Sequence, residues 1–223
     1  QGIVELHDKY DYSTRSMAVI CLRNAIKKNW STSRGGDLKP VPEEDRAAVR
    51  AALLRHTQEP NNRIAAQVCA ATGAIARADW PVHWPDMFAG ILQQLDASSD
   101  ATAHRVLQML HSIVKRVAER TLKTHKRSFF AMATELFPTI SALCSRFLNQ
   151  LAEQASTLAQ AAGASGVGSQ DTITAATNVV KTSVILRWAA KVACRLLRYG
   201  PSSLAASAEA AAYVQLCTRG SHA

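Results

Sequence analysis

The strongest constraint on this chain is an internal repeat. RIAAQVCAATGAIAR (63–77) can be laid over RVLQMLHSIVKRVAE (105–119) at an offset of 42 residues. Ile64 then coincides with Val106, Val68 with Leu110 and Ile75 with Val117. Within each segment apolar residues recur every three to four positions, the period of a helix with one buried face. A lone unit of this kind cannot cover its own apolar stripe, so its copies must stack. Composition agrees with an all-helical chain. Hydrophobic residues make up 48% of the 223, aromatics only 6%, and alanine is frequent. Alanine loses no side-chain entropy in a helix and lets helices approach closely.

Breakers separate the apolar stretches and predict where helices begin and end. Residues 14–30 read as a helix with Met17, Ile20, Cys21 and Ala25 on one face and Arg23, Lys27 and Lys28 off it. The basic residues near its end suit the negative end of the helix dipole. Ser33-Arg34-Gly35-Gly36-Asp37 marks a loop. Pro42-Glu43-Glu44-Asp45 has the proline and acids that a helix start favours, and this helix runs to about Thr57. Further helices are expected at 62–78, 84–95 and 101–120, and from about 124 past Leu151. Glycine and serine at 161–171, AAGASGVGSQD, predict a flexible loop before helices at 173–199 and 203–217. Short connections imply antiparallel neighbours. A pair of helices every 40–47 residues or so is the period of HEAT and armadillo arrays. The expected fold is therefore all-α, a HEAT-repeat solenoid of antiparallel helix pairs. A globular bundle would explain the helices but not the 42-residue offset. The expected layout is one arm over 1–223. It has a partial repeat at about 1–30, repeats at 43–78, 84–120 and 124–199, and a further helix at 203–217.

Several function classes find no support. Five cysteines, Cys21, Cys69, Cys144, Cys194 and Cys217, are far apart and lack metal or redox spacing. Buried reduced thiols in a cytosolic or nuclear protein are the plain expectation. His104 and His111 share a helix without a carboxylate partner, and no other histidines pair at metal spacing. Ser165-Gly166-Val167-Gly168-Ser169 has glycines but no following lysine, so it is no phosphate-binding loop. No catalytic constellation or cofactor motif is present. The opening Gln1-Gly2-Ile3-Val4-Glu5 lacks a signal-peptide pattern, and no run reaches the roughly 20 apolar residues of a membrane span. The chain starts without methionine, as a piece of a longer protein would, and Arg219-Gly220-Ser221-His222-Ala223 reads as an untethered tail. The formal charge of +9 fits nucleic acid, an acidic protein or plain solvation. Base-stacking aromatics are not interleaved with the cations, so the nucleic-acid signal is generic.

At 79–86 the sequence becomes more specific. DWPVHWPD resembles the D-[FW]-P-x-x-W-P-[ED] signature in the N-terminal arm of the importin-beta superfamily, the karyopherins. AVICLRNAIKKNW (18–30) is similar to the family's second-repeat segment with its L-K-N-x-I-x-x-x-W pattern. PEEDRAAVRAALLRHTQEPNNRIAAQVCAATGAIARADWP (42–81) resembles the family's stretch from acidic helix start to Trp-Pro turn. HRVLQMLHSIVKRVAERTLKTHKRSFF (104–130) with ELFP (135–138) looks closest to the importin-eleven branch. The resemblance covers about 14–150 and, more loosely, 178–199. The family's first repeat is largely missing here, and the 161–171 stretch has no family counterpart.

The resemblance implies a non-enzymatic nuclear transport receptor that shuttles between nucleus and cytoplasm. Its implied partners are the GTP form of Ran, protein cargo and Phe-Gly nucleoporins, without membrane insertion. A HEAT scaffold with no Ran role, or a basic helical domain that binds nucleic acid, are the competing readings. In this family the second helices of the repeats line the concave face, which makes Arg63, Gln67, Arg105, Gln108 and Arg116 candidate partner contacts. Arg187, Lys191, Arg195 and Arg198, spaced 4, 4 and 3, fall on one stripe opposite Ile185, Ala189, Val192 and Leu196. That stripe is either a partner surface or an ordinary solvated face. Lys115, Arg116, Arg120, Lys123, Lys126 and Arg127 form a basic run that is open to the same two readings. Asp79, Trp80, Pro81, Trp84 and Pro85 are expected to be structural. Proline ends one helix, the next begins, and the rings pack between repeats.

Overall fold

The computed structural model describes residues 9–30, 41–55, 59–97 and 99–219. The expected loop at 33–37, the first residues of the partial repeat and the tail beyond 219 lie outside the described residues. All nine described elements are α-helices. They are α1 (Tyr12–Asn29), α2 (Glu43–Arg55), α3 (Asn62–Asp79), α4 (Met87–Ala97), α5 (Asp100–Ala118), α6 (Lys123–Ser165), α7 (Gln170–Tyr199), α8 (Ser202–Ala205) and α9 (Ala208–Arg219). Their starts follow local chemistry. Asp11 accepts hydrogen bonds from the Ser13 and Thr14 backbone N–H groups, both at 3.3 Å, and so caps α1. Asn61 caps α3 through the N–H groups of Arg63 (2.9 Å) and Ile64 (3.3 Å). Three acids, Glu43, Glu44 and Asp45, occupy the first turn of α2, where the dipole favours them.

Chain contacts gather into two compact units, Gln1–Ser98 with Gln108–His125, and Ser99–Leu107 with Lys126–Ala223. In the first unit the repeat seen in sequence becomes a physical register. Arg15 of α1 donates to Glu59, and Arg23 of α1 to Gln67 of α3, each 44 residues on. Ser112 Oγ of α5 donates to the Cys69 carbonyl of α3 at 2.8 Å, 43 residues back. Second helices of successive repeats thus run parallel, one repeat apart. The six aligned apolar positions, Ile64, Val68, Ile75, Val106, Leu110 and Val117, are all at most 2 % exposed. Gly73 permits the close approach of α3 and α5. A Cβ there would lie 3.0 Å from Arg116 Cγ and Ser112 Oγ.

Four expectations are corrected. Met17, Cys21 and Ala25 of α1 face outward, Met17 being 63 % exposed, while Val19, Ile26 and Trp30 are buried. Residues 17–22 are apolar without interruption, so periodicity alone selects no face there. The 161–171 stretch is mostly helical. Ala161, Ala162 and Ala164 carry α6 to Ser165, and α7 starts at Gln170. Only 166–169 breaks the helix, with Gly166 at φ 80° and Ser169 capping α7 through the Thr172 N–H at 3.3 Å. The helix expected at 84–95 begins at Met87, which leaves Trp84 and Pro85 in the turn. The helix expected at 203–217 is two, α8 and α9. It is broken at Ser207, whose hydroxyl accepts the Ala210 N–H at 3.1 Å and restarts the chain.

The second unit is built differently. α6 has 43 residues and accommodates Pro138, which removes one intrahelical donor. Its buried side chains end at Phe147. From there to Thr182 only Thr172 is buried. The described residues contain no helix long and apolar enough to cross a membrane.

Candidate partner-binding groove

The turn at 79–86 organises the first unit. Asp79 is 2 % exposed at the end of α3. Its Oδ1 accepts the Trp30 indole N–H at 2.9 Å, and its Oδ2 accepts Arg50 Nη1 at 2.7 Å. One carboxylate therefore joins the end of α1, the middle of α2 and the end of α3. Burial alone would lower the pKa of Arg50, but hydrogen bonds to Glu43 and Asp79 outweigh it and raise it. Trp80 and Trp84 are buried, and Trp80 meets Phe88 edge-on at 5.4 Å. The Trp80–Pro81 bond is cis. Arg120 donates to the Trp80 carbonyl and lies against His125. This is the structural corner that the Trp-Pro pattern predicts.

Beside it, α1, α3 and the end of α5 form an open groove of about 1150 Å³. Its lining includes Ala70, Ala74 and Ala78, spaced four apart along α3. Small side chains there leave room between longer ones. The cations are Arg23, Lys27 and Lys28 from α1, Arg77 from α3 and Arg116 from α5. Glu119 is the one carboxylate in the lining. It lies 3.5 Å from Arg116 and 3.7 Å from Arg77, in pairs open to solvent. Such exposed pairs contribute about 1 kcal/mol or less. Five cations against one acid leave a positive field in a concave surface.

The sequence-predicted residues fall in different places. Arg116 lines the groove, and Gln67 accepts the hydrogen bond from Arg23 at its side. Arg63 is exposed in the first turn of α3, outside the groove lining. Gln108 is half-buried. Arg105 is only 9 % exposed and has an interaction of its own, so it presents no free surface. Lys115 and Lys123 are exposed, as are Lys126 and Arg127 in the second unit. Arg120 is tied to the corner, and burial, then the charge of Arg77, lowers its pKa. Arg23, Lys27, Lys28 and Arg77 also line the groove; on sequence alone Arg23, Lys27 and Lys28 stand off the apolar face of α1 with nothing further to mark them.

In the second unit, Ile185, Ala189, Val192 and Leu196 are buried on α7, as their spacing predicts. Arg187 and Arg198 are exposed, and Lys191 and Arg195 are half-buried. Lys191 Nζ sits 4.3 Å from the Trp188 ring centroid. Arg195 and Arg198 lie 5.8 and 5.6 Å from the Tyr199 ring. Three of the four stripe cations thus lie near aromatic rings of the same helix. Among the described residues no group of three or more His, Cys, Asp and Glu could hold a metal ion.

Comparison with known proteins identifies the family. The family model "Importin-beta N-terminal domain" matches residues 3–59, and "Exportin 1-like protein" matches 61–182. Human Importin-11 is 26% identical over 127 residues, 57% of this chain and 13% of that protein. The Importin beta-like protein kap113 of Schizosaccharomyces pombe is 32% identical over 135 residues, 59% of this chain and 13% of that one. Exportin-2 of Bos taurus is 26% identical over 152 residues, 65% and 16% of the two chains. The aligned region spans about an eighth of the length of the first of these relatives. The solved structure of Lph2, a bidirectional nuclear transport receptor of Saccharomyces cerevisiae, shares the fold. It aligns with a TM-score of 0.61 and 21% identity over 87% of this chain and 18% of that one. That likeness supports the HEAT-repeat fold read from the 42-residue offset. With both family models in register, and the second covering more than half of its residues, the chain belongs to the importin-beta superfamily of nuclear transport receptors.

Proposed function

We propose that the cation-lined groove of α1, α3 and α5 is where this receptor takes the GTP form of Ran. The observation that carries the reading is the charge of the groove, with Arg23, Lys27, Lys28, Arg77 and Arg116 set around one carboxylate. A concave positive surface speeds encounter with an acidic protein face and fixes its orientation. Protein cargo and Phe-Gly nucleoporins are the further partners of the same reading, with shuttling between nucleus and cytoplasm. Relatives named both importin and exportin leave the direction of transport open to experiment. Ran and cargo on one flexible helical array would affect each other's affinity through a shared conformational equilibrium. A nucleic-acid role is less favoured, because the Trp188 and Tyr199 rings already carry cations rather than facing open space for bases.

The test is a binding titration of the full-length receptor with Ran loaded with GTP or GDP. Binding confined to the GTP form is expected. Reversing Lys27, Lys28 and Arg116 to glutamate should weaken it by about tenfold or more while thermal stability stays near the parent value. Equal binding of both nucleotide forms would favour a scaffold. Unaltered affinity in the triple reversal would move the site elsewhere.

A further inference from the structure

Glu119 stands where local chemistry disfavours it. It follows directly on Ala118, the last residue of α5. The helix dipole is negative at that end, and the last turn carries Lys115 and Arg116, as the dipole favours. A carboxylate there gains nothing from its own helix. Its partners lie in the groove instead. Glu119 Oε2 is 3.5 Å from Arg116 Nη1 and 3.7 Å from Arg77 Nη1. One oxygen thus serves two guanidiniums, from α3 and α5.

The two arginines are placed to share an anion. Arg77 Nη1 also donates to the Arg116 carbonyl at 3.4 Å, which ties its head to the end of α5. Arg116 lays its stem against Gly73, one turn before Arg77 on α3, where a Cβ would come within 3.0 Å of its Cγ. Both guanidiniums are therefore steered to one position. An arginine fork can take both oxygens of a carboxylate in parallel bonds. Glu119 offers it one oxygen at the longer distances given above. All three side chains are open to solvent, and exposed pairs of this kind hold weakly. Displacing Glu119 from the arginines therefore costs little.

We infer that Glu119 is the groove's own occupant of its anion position, covering Arg77 and Arg116 until a carboxylate-bearing segment of the partner displaces it. The inference rests on the groove being the binding surface proposed above. A segment with clustered Asp or Glu replaces one single-oxygen contact by forked pairs on two arginines. Those pairs strengthen as the segment fills the groove and excludes water. A surface with a lone, solvated carboxylate gains no more than Glu119 already supplies. Glu119 therefore sets how acidic a segment must be to enter. It narrows the choice of partner at the cost of some affinity.

The experiment titrates the full-length receptor at low salt with an oligoglutamate peptide and, separately, with Ran loaded with GTP. Glu119→Gln is expected to tighten both by about two- to fivefold, the worth of a weak exposed ion pair. The gain should shrink as salt rises. Glu44→Gln makes the same change in net charge at an exposed position of α2 outside the groove lining, and should leave both affinities unchanged. Glu119→Asp keeps the net charge but shortens the reach, and should show part of the gain. The melting midpoint of Glu119→Gln should stay near the parent value. Equal effects at 119 and 44, or weaker binding in Glu119→Gln, would overturn the inference, even where reversal of Lys27, Lys28 and Arg116 weakens Ran binding. So would a gain for oligothymidylate without one for oligoglutamate. A gain for oligoglutamate without one for Ran would uphold Glu119 in this role and remove Ran from the groove.

Discussion

The two units hold their helices together by different means. In the first, buried charges do it: Arg15 with Glu59, and Asp79 with Arg50 and Trp30. In the second, α9 is seated by a ring, a weakly bonded hydroxyl and the Cys194 thiol beside Tyr213. Buried charges are unforgiving, because removing one partner strands the other without water. A ring keeps most of its value when its hydroxyl goes. The first arrangement therefore sets register, and the second tolerates adjustment.

The largest test of that contrast sets Asp79→Ala against Tyr213→Phe. Asp79→Ala leaves the Arg50 guanidinium and the Trp30 N–H without their shared acceptor and should lower stability by about 3–5 kcal/mol. Tyr213→Phe loses a bond at 3.5 Å and should lower it by about 1 kcal/mol or less. Denaturant titration of both variants measures the difference, and equal losses would dissolve the comparison. A middle-sized effect is expected at Gly73. Gly73→Val drives methyl groups into Arg116 and Ser112 and should cost about 1–3 kcal/mol by the same titration. A loss near zero would mean that α3 and α5 can separate freely.

The smallest effect concerns pH. Burial first, then the Arg120 charge, lowers the pKa of His125 from its ordinary 6.5. The unfolded chain then takes up this proton at higher pH than the folded one. The stabilisation is complete above pH 6.5 and is lost as pH falls through the lower folded value. Thermal melts across that window should show a small downward drift of the midpoint, and His125→Asn should flatten it.

Much of the architecture could be read from residue order. The offset between 63–77 and 105–119 marks two helices that lie side by side, because stacking demands the same apolar face in each copy. The Trp-Pro corner was legible because proline and tryptophan leave few packing choices. The face of α1 was not, since six consecutive apolar residues satisfy every rotation of the helix equally. The resemblance makes Arg105 a concave-face contact, yet tertiary packing buries it. Glycine and serine point 161–165 toward a loop, yet the alanines around Gly163 carry α6 on to Ser165. The approach of Cys194 to the Tyr213 hydroxyl has no local signature, since only long-range packing brings them together.

The alanines along α3 carry a last consequence. Ala70, Ala74 and Ala78 line the groove with side chains that stop at one carbon. Its charge belongs to other lining residues. Shape and charge are therefore encoded on separate positions. A leucine at Ala74 would plug the space and leave every cation where it stands, while a neutralised Lys27 would do the reverse. The shape of this groove and its charge can therefore be altered one at a time.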